Sequence, residues 1–307
     1  MITRIRFDWS KSLVWLVLLV LIIVSAILSP TFTSSRNISN VVRQSAGIGL
    51  VSLGQTFAIL TAGIDLSVGS IISLTACLTT GILHTNPELV VPVIFLVIGI
   101  AAGLGLINGL VITITGVHPL IVTLGMMSAV QGVVLVYTKE PYGSIPASMA
   151  FLAWGKVWAI PFPVVWFLVC AIIGIIILRK TPFGRYVYAV GGNIEAARLS
   201  GIKTKRILVS VYIISAVSAS FTGLLLSSRM GMGDPLIGEP FMLNSIAPVV
   251  LGGTSIAGGK GGIGGTIAGV LIVAILANIL NLMGVSGFYQ WIVKGLIIIV
   301  AVAFYRK

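Results

Sequence analysis

The sequence predicts an all-α membrane protein, a polytopic transmembrane helical bundle of about ten spans. Three observations carry that prediction. The 307 residues are 57% hydrophobic and 8% charged, with a mean hydropathy of +1.14, whereas a soluble domain carries about 25% charged residues. The apolar residues gather into runs such as Leu13–Leu28, Ile48–Leu60, Leu89–Ile114, Pro163–Leu178, Ile207–Leu226 and Trp291–Phe304, close to the roughly 20 residues that span a bilayer. No barrel-like alternation runs through them, so helices must satisfy the backbone within the hydrocarbon.

In chain order, spans are expected at 13–29, 43–62, 67–84, 90–115, 119–137, 163–179, 207–228, 244–256, 263–283 and 288–304. The first resembles a secretory leader, since Val24-Ser25-Ala26 loosely fits a small-residue cleavage site. Its removal would leave an odd number of spans and spoil the charge pattern, so it reads as an uncleaved anchor. The eighth is short for a full crossing and reads as a half-helix or a re-entrant piece. Three longer connections, 138–162, 180–206 and 229–243, join the spans, and residues 1–307 form a single transmembrane domain.

The net charge of +12 does not point to nucleic acid, because the bases sit at segment ends and build no basic face. Threading the first span outward places Arg4, Arg6 and Lys11 inside, followed by Arg179, Lys180, Arg185, Arg198, Lys203, Lys205, Arg206 and Lys260, then Arg306 and Lys307. Outside fall Arg36, Arg43, Lys139, Lys156 and Arg229. The excess inside is what the positive-inside rule requires. Both termini are therefore expected in the cytoplasm, with 138–162 and 229–243 on the outer side.

Chemistry-bearing residues are sparse. Cys77 and Cys170 lie in apolar segments as buried thiols, and His84 and His118 stand apart. No paired carboxylates, metal-ligand spacing or Ser–His–Asp set can be assembled, so no catalysis, metal or cofactor is expected. Asp65 is the one acid near membrane depth, which disfavours an ion-coupled carrier with its buried relays. It lies in TAGIDLSVGS, Thr61–Ser70. Asp65 or Ser67 can cap the helix starting near Val68, with Gly63 ending the preceding one. Alternatively, the break lines a transport path. Asn108, Gln131, Asn244, Asn278 and Asn281 are further polar groups within the spans, suited either to joining helices or to holding a hydroxylated solute. Lys294, in the last span, either snorkels outward or faces a water-filled cavity. Small residues recur four apart at Gly99, Gly103, Gly105 and Gly109 and again through Gly261–Gly269, allowing helices to approach closely within one chain or between two.

The least membrane-like stretch is GGNIEAARLSGIKTKRI, 191–207. Asn193 is a good N-cap, Gly201 a good residue just past a helix end, and Ile194–Ser200 between them makes about two turns. So short a helix is unstable alone in water and needs a surface to dock on. Its Ala196-Ala197 pair offers a low profile, with Glu195 and Arg198 as polar flanks.

GGNIEAARLSGI resembles the cytoplasmic coupling-helix motif of permease subunits in ATP-binding-cassette importers. TAGIDLSVGSIISLTA (61–76), VVLGGTSIAGGKGGIGGTIAGVLI (249–272) and GRYVYAVGG (184–192) resemble stretches of the branch that imports ribose and related monosaccharides. The likeness runs from about Ser29 to the C-terminus. It implies a permease subunit in the cell inner membrane that moves a small neutral sugar, ribose or another pentose, by alternating access. It also implies three partners: a second permease subunit, identical or closely related; an ATPase with two nucleotide-binding cassettes; and an external sugar-binding protein. The coupling role would fall on Asn193, Ile194, Glu195, Ala196, Ala197, Arg198, Leu199, Ser200 and Gly201. Arg36, Lys139, Lys156 and Arg229 are candidates to contact the binding protein. The candidate path residues are Gln55, Asp65, Ser67, Asn108, Asn244, Asn278, Asn281 and Lys294. ATP hydrolysis must reside in the partner, because GGKGG around Lys260 lacks the spacing and following hydroxyl of a phosphate loop. Another monosaccharide, a sugar-like signal molecule, or an ion-coupled sugar carrier are the alternative readings.

Overall fold

The structure is a computed structural model that describes residues 9–290 together with 292, 293, 295 and 296. The expected tenth span falls largely outside these residues, as do Arg4, Arg6, Lys294, Arg306 and Lys307. The described chain is almost entirely helical. In order come α1 (Trp9–Leu28), a 3-10 turn (Pro30–Thr33), α2 (Ser35–Leu60), α3 (Val68–Thr85), α4 (Val90–Thr115) and α5 (Pro119–Tyr137). There follow α6 (Ala147–Trp154), a two-residue hairpin pairing Lys156–Val157 with Ile160–Pro161, α7 (Phe162–Lys180), α8 (Pro182–Gly192) and α9 (Ile194–Leu199). The last elements are α10 (Thr204–Met230), α11 (Phe241–Asn244), α12 (Ile246–Leu251) and α13 (Ile263–Leu282).

Among the described residues, α3, α4, α5, α7, α10 and α13 are each long and apolar enough to cross a membrane. The apolar part of α1 is shorter, Val14–Leu28. α2 has the length, 26 residues or about 39 Å. Its first turns carry Arg36, Asn37, Asn40, Arg43 and Gln44, however, and its apolar portion begins near Ala46. The expected span at 244–256 is instead two short helices, α11 and α12, bent at Ser245 and ending at Leu251. Together they are too short to reach across a bilayer.

The layering inverts that of a soluble protein. α10 is the axis, packed against α2, α3 and α4, while α4 and α5 present their large side chains outward. On α4 the buried positions are Val93, Val97, Ala101, Gly105, Asn108, Gly109 and Ile112, a stripe at helical spacing. Phe95, Leu96, Ile107, Val111 and Ile114 lie on its exposed side. The small residues allow the approach: a Cβ at Gly105 would lie 2.5 Å from Tyr212 O, and one at Gly109 2.6 Å from Val209 Cα. Gly265 and Gly269 likewise meet the backbone oxygens of Gly252 and Pro248, closing α13 onto the α12 region. Gly99 and Gly103 face open space.

The break between α2 and α3 differs in one detail from its sequence reading. The left-handed residue is Ala62, with φ 60°, and not Gly63. Gly63 is needed for room: a Cβ there would collide with the Tyr212 hydroxyl. Nor does the Ser67 side chain cap α3. Asp65 instead turns back on the residue before the helix, its Oδ1 accepting from Ser67 N at 3.0 Å and from Ser67 Oγ at 2.5 Å, and α3 has no side-chain cap.

Candidate functional site

Two regions gather the sequence-predicted residues, and they lie at different depths of the bundle. The first is the end that carries α9. Asn193 caps it as expected, its Oδ1 accepting from Ala196 N at 2.9 Å, and Gly201 takes φ 81° just past its end. The helix closes at Leu199, with Ser200 as its C-cap, whose Oγ donates to Ala196 O at 2.9 Å. The alanine pair divides: Ala197 is buried in the same core as Val190 and Ile207, while Ala196 faces out. A helix this short must anchor on its own protein, and the smallest side chain is the one that fits beneath it. What α9 offers a partner is therefore its outer face. Leu199 is 80% exposed and Ile194 44%, flanked by the Arg198–Glu195 pair at 2.9 Å.

α9 is tied tightly to the bundle. Gly191, one turn before it, abuts Leu60 O and the Gly259 backbone, leaving no room for a side chain. Gly259 N donates to Leu60 O at 2.9 Å, and Tyr188 Oη donates to Gly261 O at 3.0 Å. The end of α2, the end of α8 and the 253–262 loop thus meet backbone to backbone. Arg179, Lys180, Arg185, Arg198, Lys203, Lys205, Arg206 and Lys260 are all exposed around this end.

The second region surrounds Asp65, which is fully buried. Ser67 Oγ donates to its Oδ1 and accepts from Asn108 Nδ2 at 3.0 Å. With the Gln55 side-chain amide turned so that both its groups are satisfied, it donates to Asp65 O and accepts from Asp65 N, both at 3.3 Å. Thr123 Oγ1 donates to Ile64 O at 3.1 Å, and Ser215 on α10 lies beside the carboxyl. Gln55, Asp65, Ser67 and Asn108 are thereby brought into one node joining α2, α3, α4 and α5. Asp65 Oδ2, Asn108 Oδ1 and the Tyr212 hydroxyl are buried without a hydrogen-bond partner among the described residues.

The other path candidates lie elsewhere. Asn278 on α13 makes a reciprocal amide pair with Asn37 on α2, at 2.9 and 2.8 Å, where Asn37 also donates to Phe32 O at 3.0 Å. Nothing in the sequence pairs these two amides, which stand 241 positions apart. Asn281, three residues on, is exposed and accepts from Gln290 Nε2 at 2.7 Å. Asn244 sits at the end of α11, half-buried.

Arg36, Lys139, Lys156 and Arg229 are all exposed at the end of the bundle opposite α9. α10 carries the chain there from Thr204 beside α9 to Met230. There Tyr142 and Gly233 exchange backbone hydrogen bonds at 2.9 Å. From that point the segment 231–240 runs inward along α3, where Gly238 N donates to Ser73 Oγ at 3.0 Å and Gln131 Nε2 holds Pro235 O at 2.9 Å.

Residues 37–302 match the family model described as branched-chain amino acid transport system, permease component. The ribose import permease protein of Bacillus subtilis (strain 168) is 44% identical to this chain, covering 99% of it and 96% of the relative. That of Haemophilus influenzae is 38% identical, over 94% of this chain and 90% of its own. The D-allose transport system permease protein of Escherichia coli (strain K12) is 37% identical, over 97% and 92%. No solved structure matches the chain. With apolar crossing helices, a capped helix exposed at one end and this match along most of its length, the chain belongs to the family of permease components of the branched-chain amino acid transport system.

Proposed function

We propose that this chain is the membrane permease subunit of an ATP-driven, binding-protein-dependent importer for a small neutral sugar, ribose or another pentose. The observation that carries the reading is the 44% identity, over 99% of the chain, to a ribose import permease. The sequence contains no phosphate loop, so the energy comes from a separate ATPase with two nucleotide-binding cassettes. A second permease subunit, the same or a close paralogue, completes the channel, and an external binding protein delivers the sugar. The cations crowding the α9 end support a cytoplasmic position for that end. In this reading the chain crosses the inner membrane ten times, the 231–240 segment with α11 and α12 making one of the crossings, and both termini are cytoplasmic.

Within this reading α9 is the handle. Leu199 and Ile194 enter a groove on the ATPase, and closure of the cassettes on ATP displaces α9. Because α8 and α9 meet the end of α2 through the side-chain-free contact at Gly191, the displacement reaches Leu60 and the Thr61–Ser67 segment with little loss. Two packings of the bundle, open to either side, are then favoured in turn by ATP. The D-allose relative, at 37% identity, supports a second reading: the same machinery serving another monosaccharide.

Uptake of labelled D-ribose, competed by a panel of unlabelled pentoses and hexoses, tests both readings in cells with and without the partner ATPase. Uptake that needs the ATPase and is competed first by pentoses is expected. Uptake that survives loss of the ATPase and follows the proton gradient would refute an ATP-driven importer.

A further inference from the structure

At the end opposite α9, a cavity of about 200 Å³ opens between α2, α6, α10 and α11. That is small beside the roughly 300–1,000 Å³ of sites for drug-sized ligands. One wall is a single face of α2: Asn40, Arg43, Gln44 and Gly47, at i, i+3, i+4 and i+7. Trp154 from α6 and Arg229 from the last turn of α10 face it. Arg43 is held in place, donating to Ala153 O at 3.1 Å and lying 5.6 Å from the centre of a Trp154 ring. That uses one of the five N–H donors of its guanidinium. Among the described residues neither arginine has an acid within ion-pair distance. Deeper in, the cavity ends where Thr222 Oγ1 donates to Gly47 O at 3.1 Å and α10 closes against α2 at Gly54.

We propose that this cavity is a low-affinity binding site for a neutral monosaccharide, the first station of the sugar within the permease. The inference rests on the importer reading and supplies a site that none of the sequence candidates provides. Gln55, Asp65, Ser67, Asn108 and Asn278 are at most 9% exposed and hydrogen-bond one another or a neighbouring helix. In the cavity, by contrast, Asn40 and Gln44 are exposed. Two guanidiniums alone would suit an anion. The aromatic wall and the two uncharged amides one turn apart match a different solute, with C–H groups on one face and adjacent hydroxyls on its edge. Amides donate and accept at once, as a polyol requires, whereas a phosphate is held mainly by donors. The cavity also lies at the end where an external binding protein would release its cargo.

The test uses the complete transporter, permease with its ATPase, in lipid nanodiscs. Saturation-transfer NMR with D-ribose reports occupancy directly, and inorganic phosphate is the comparison ligand. Transfer to D-ribose from the wild type is expected. Gln44→Leu should raise the half-saturating concentration about tenfold, through the loss of paired hydrogen bonds. Trp154→Phe, which keeps a ring, should change it less than Trp154→Ala. The gel-filtration profile and thermal unfolding of each purified complex serve as the folding control. If wild-type transporter imports ribose but transfers no signal, or if Gln44→Leu binds as tightly as wild type, the site is refuted while the importer reading stands. Binding of phosphate and not ribose refutes it too. If wild-type transporter imports none of a panel of labelled pentoses and hexoses, the importer reading itself has failed.

Discussion

Replacing Asn278 by alanine separates a residue that joins helices from one that handles solute. Asn278 and Asn37 exchange two hydrogen bonds inside the apolar bundle, and both are buried. Side-chain hydrogen bonds between membrane helices average about 0.6 kcal/mol and reach about 1.7. Asn278→Ala removes two of them and strands the Asn37 oxygen and one of its N–H groups, each stranded polar atom costing about 1–3 kcal/mol. A destabilisation of about 2–4 kcal/mol is expected. Asn37→Ala should cost as much or slightly more, because its bond to Phe32 O is lost as well. The double variant leaves neither amide stranded, so its cost should fall short of the sum by about 1–2 kcal/mol. Unfolding in mixed detergent and dodecyl sulfate micelles measures all four proteins. Additivity to within about 0.3–0.5 kcal/mol would refute the pairing. Sugar uptake per folded Asn278→Ala transporter should match wild type, and a loss of uptake without loss of stability would return Asn278 to the transport path.

Two further predictions follow from contacts already described. Gly63→Ala should destabilise the α2–α3 break by forcing its new methyl onto the Tyr212 hydroxyl; Tyr212→Phe alone should be nearly neutral, since that buried hydroxyl has no partner among the described residues, and the two changes together should recover much of the lost thermal stability. On α9, Leu199→Glu should leave folding intact and weaken ATPase retention on purification in mild detergent, whereas Ala197→Glu should lower the yield of folded protein, because Ala197 is 4% exposed; equal ATPase retention by Leu199→Glu and wild type would count against the handle.

Features set by composition or by the nearest few residues were legible in the sequence. The caps of α9 depend on the Asn193 side chain reaching an amide three residues on and on the backbone freedom of Gly201. Both are local. The Gly63 reading was only half right for the opposite reason. A glycine after a helix suggests a left-handed turn, but here Ala62 makes that turn and Tyr212, 149 positions away in sequence (212 minus 63), demands the glycine. Similarly, the alanine pair of α9 gave no sign of which member would turn inward, because a six-residue helix has too few apolar positions to define a face.

By itself, then, the sequence determined a helical membrane protein, the limits of most of its long helices, the clustering of its cations around one end and the existence of α9. Each of these follows from hydrophobic length, backbone satisfaction within lipid, or a hydrogen bond spanning a few residues. The tertiary structure alone decided which polar groups meet: Asn37 with Asn278, Asp65 with Ser67, Asn108 and Gln55, and Arg43 with Trp154 above Gln44. A lipid-facing helix is apolar around most of its circumference, so its periodicity does not fix how it turns toward its neighbours. That rotation is set by close backbone approach at glycines such as Gly105 and Gly109, and those contacts exist only once the helices pack.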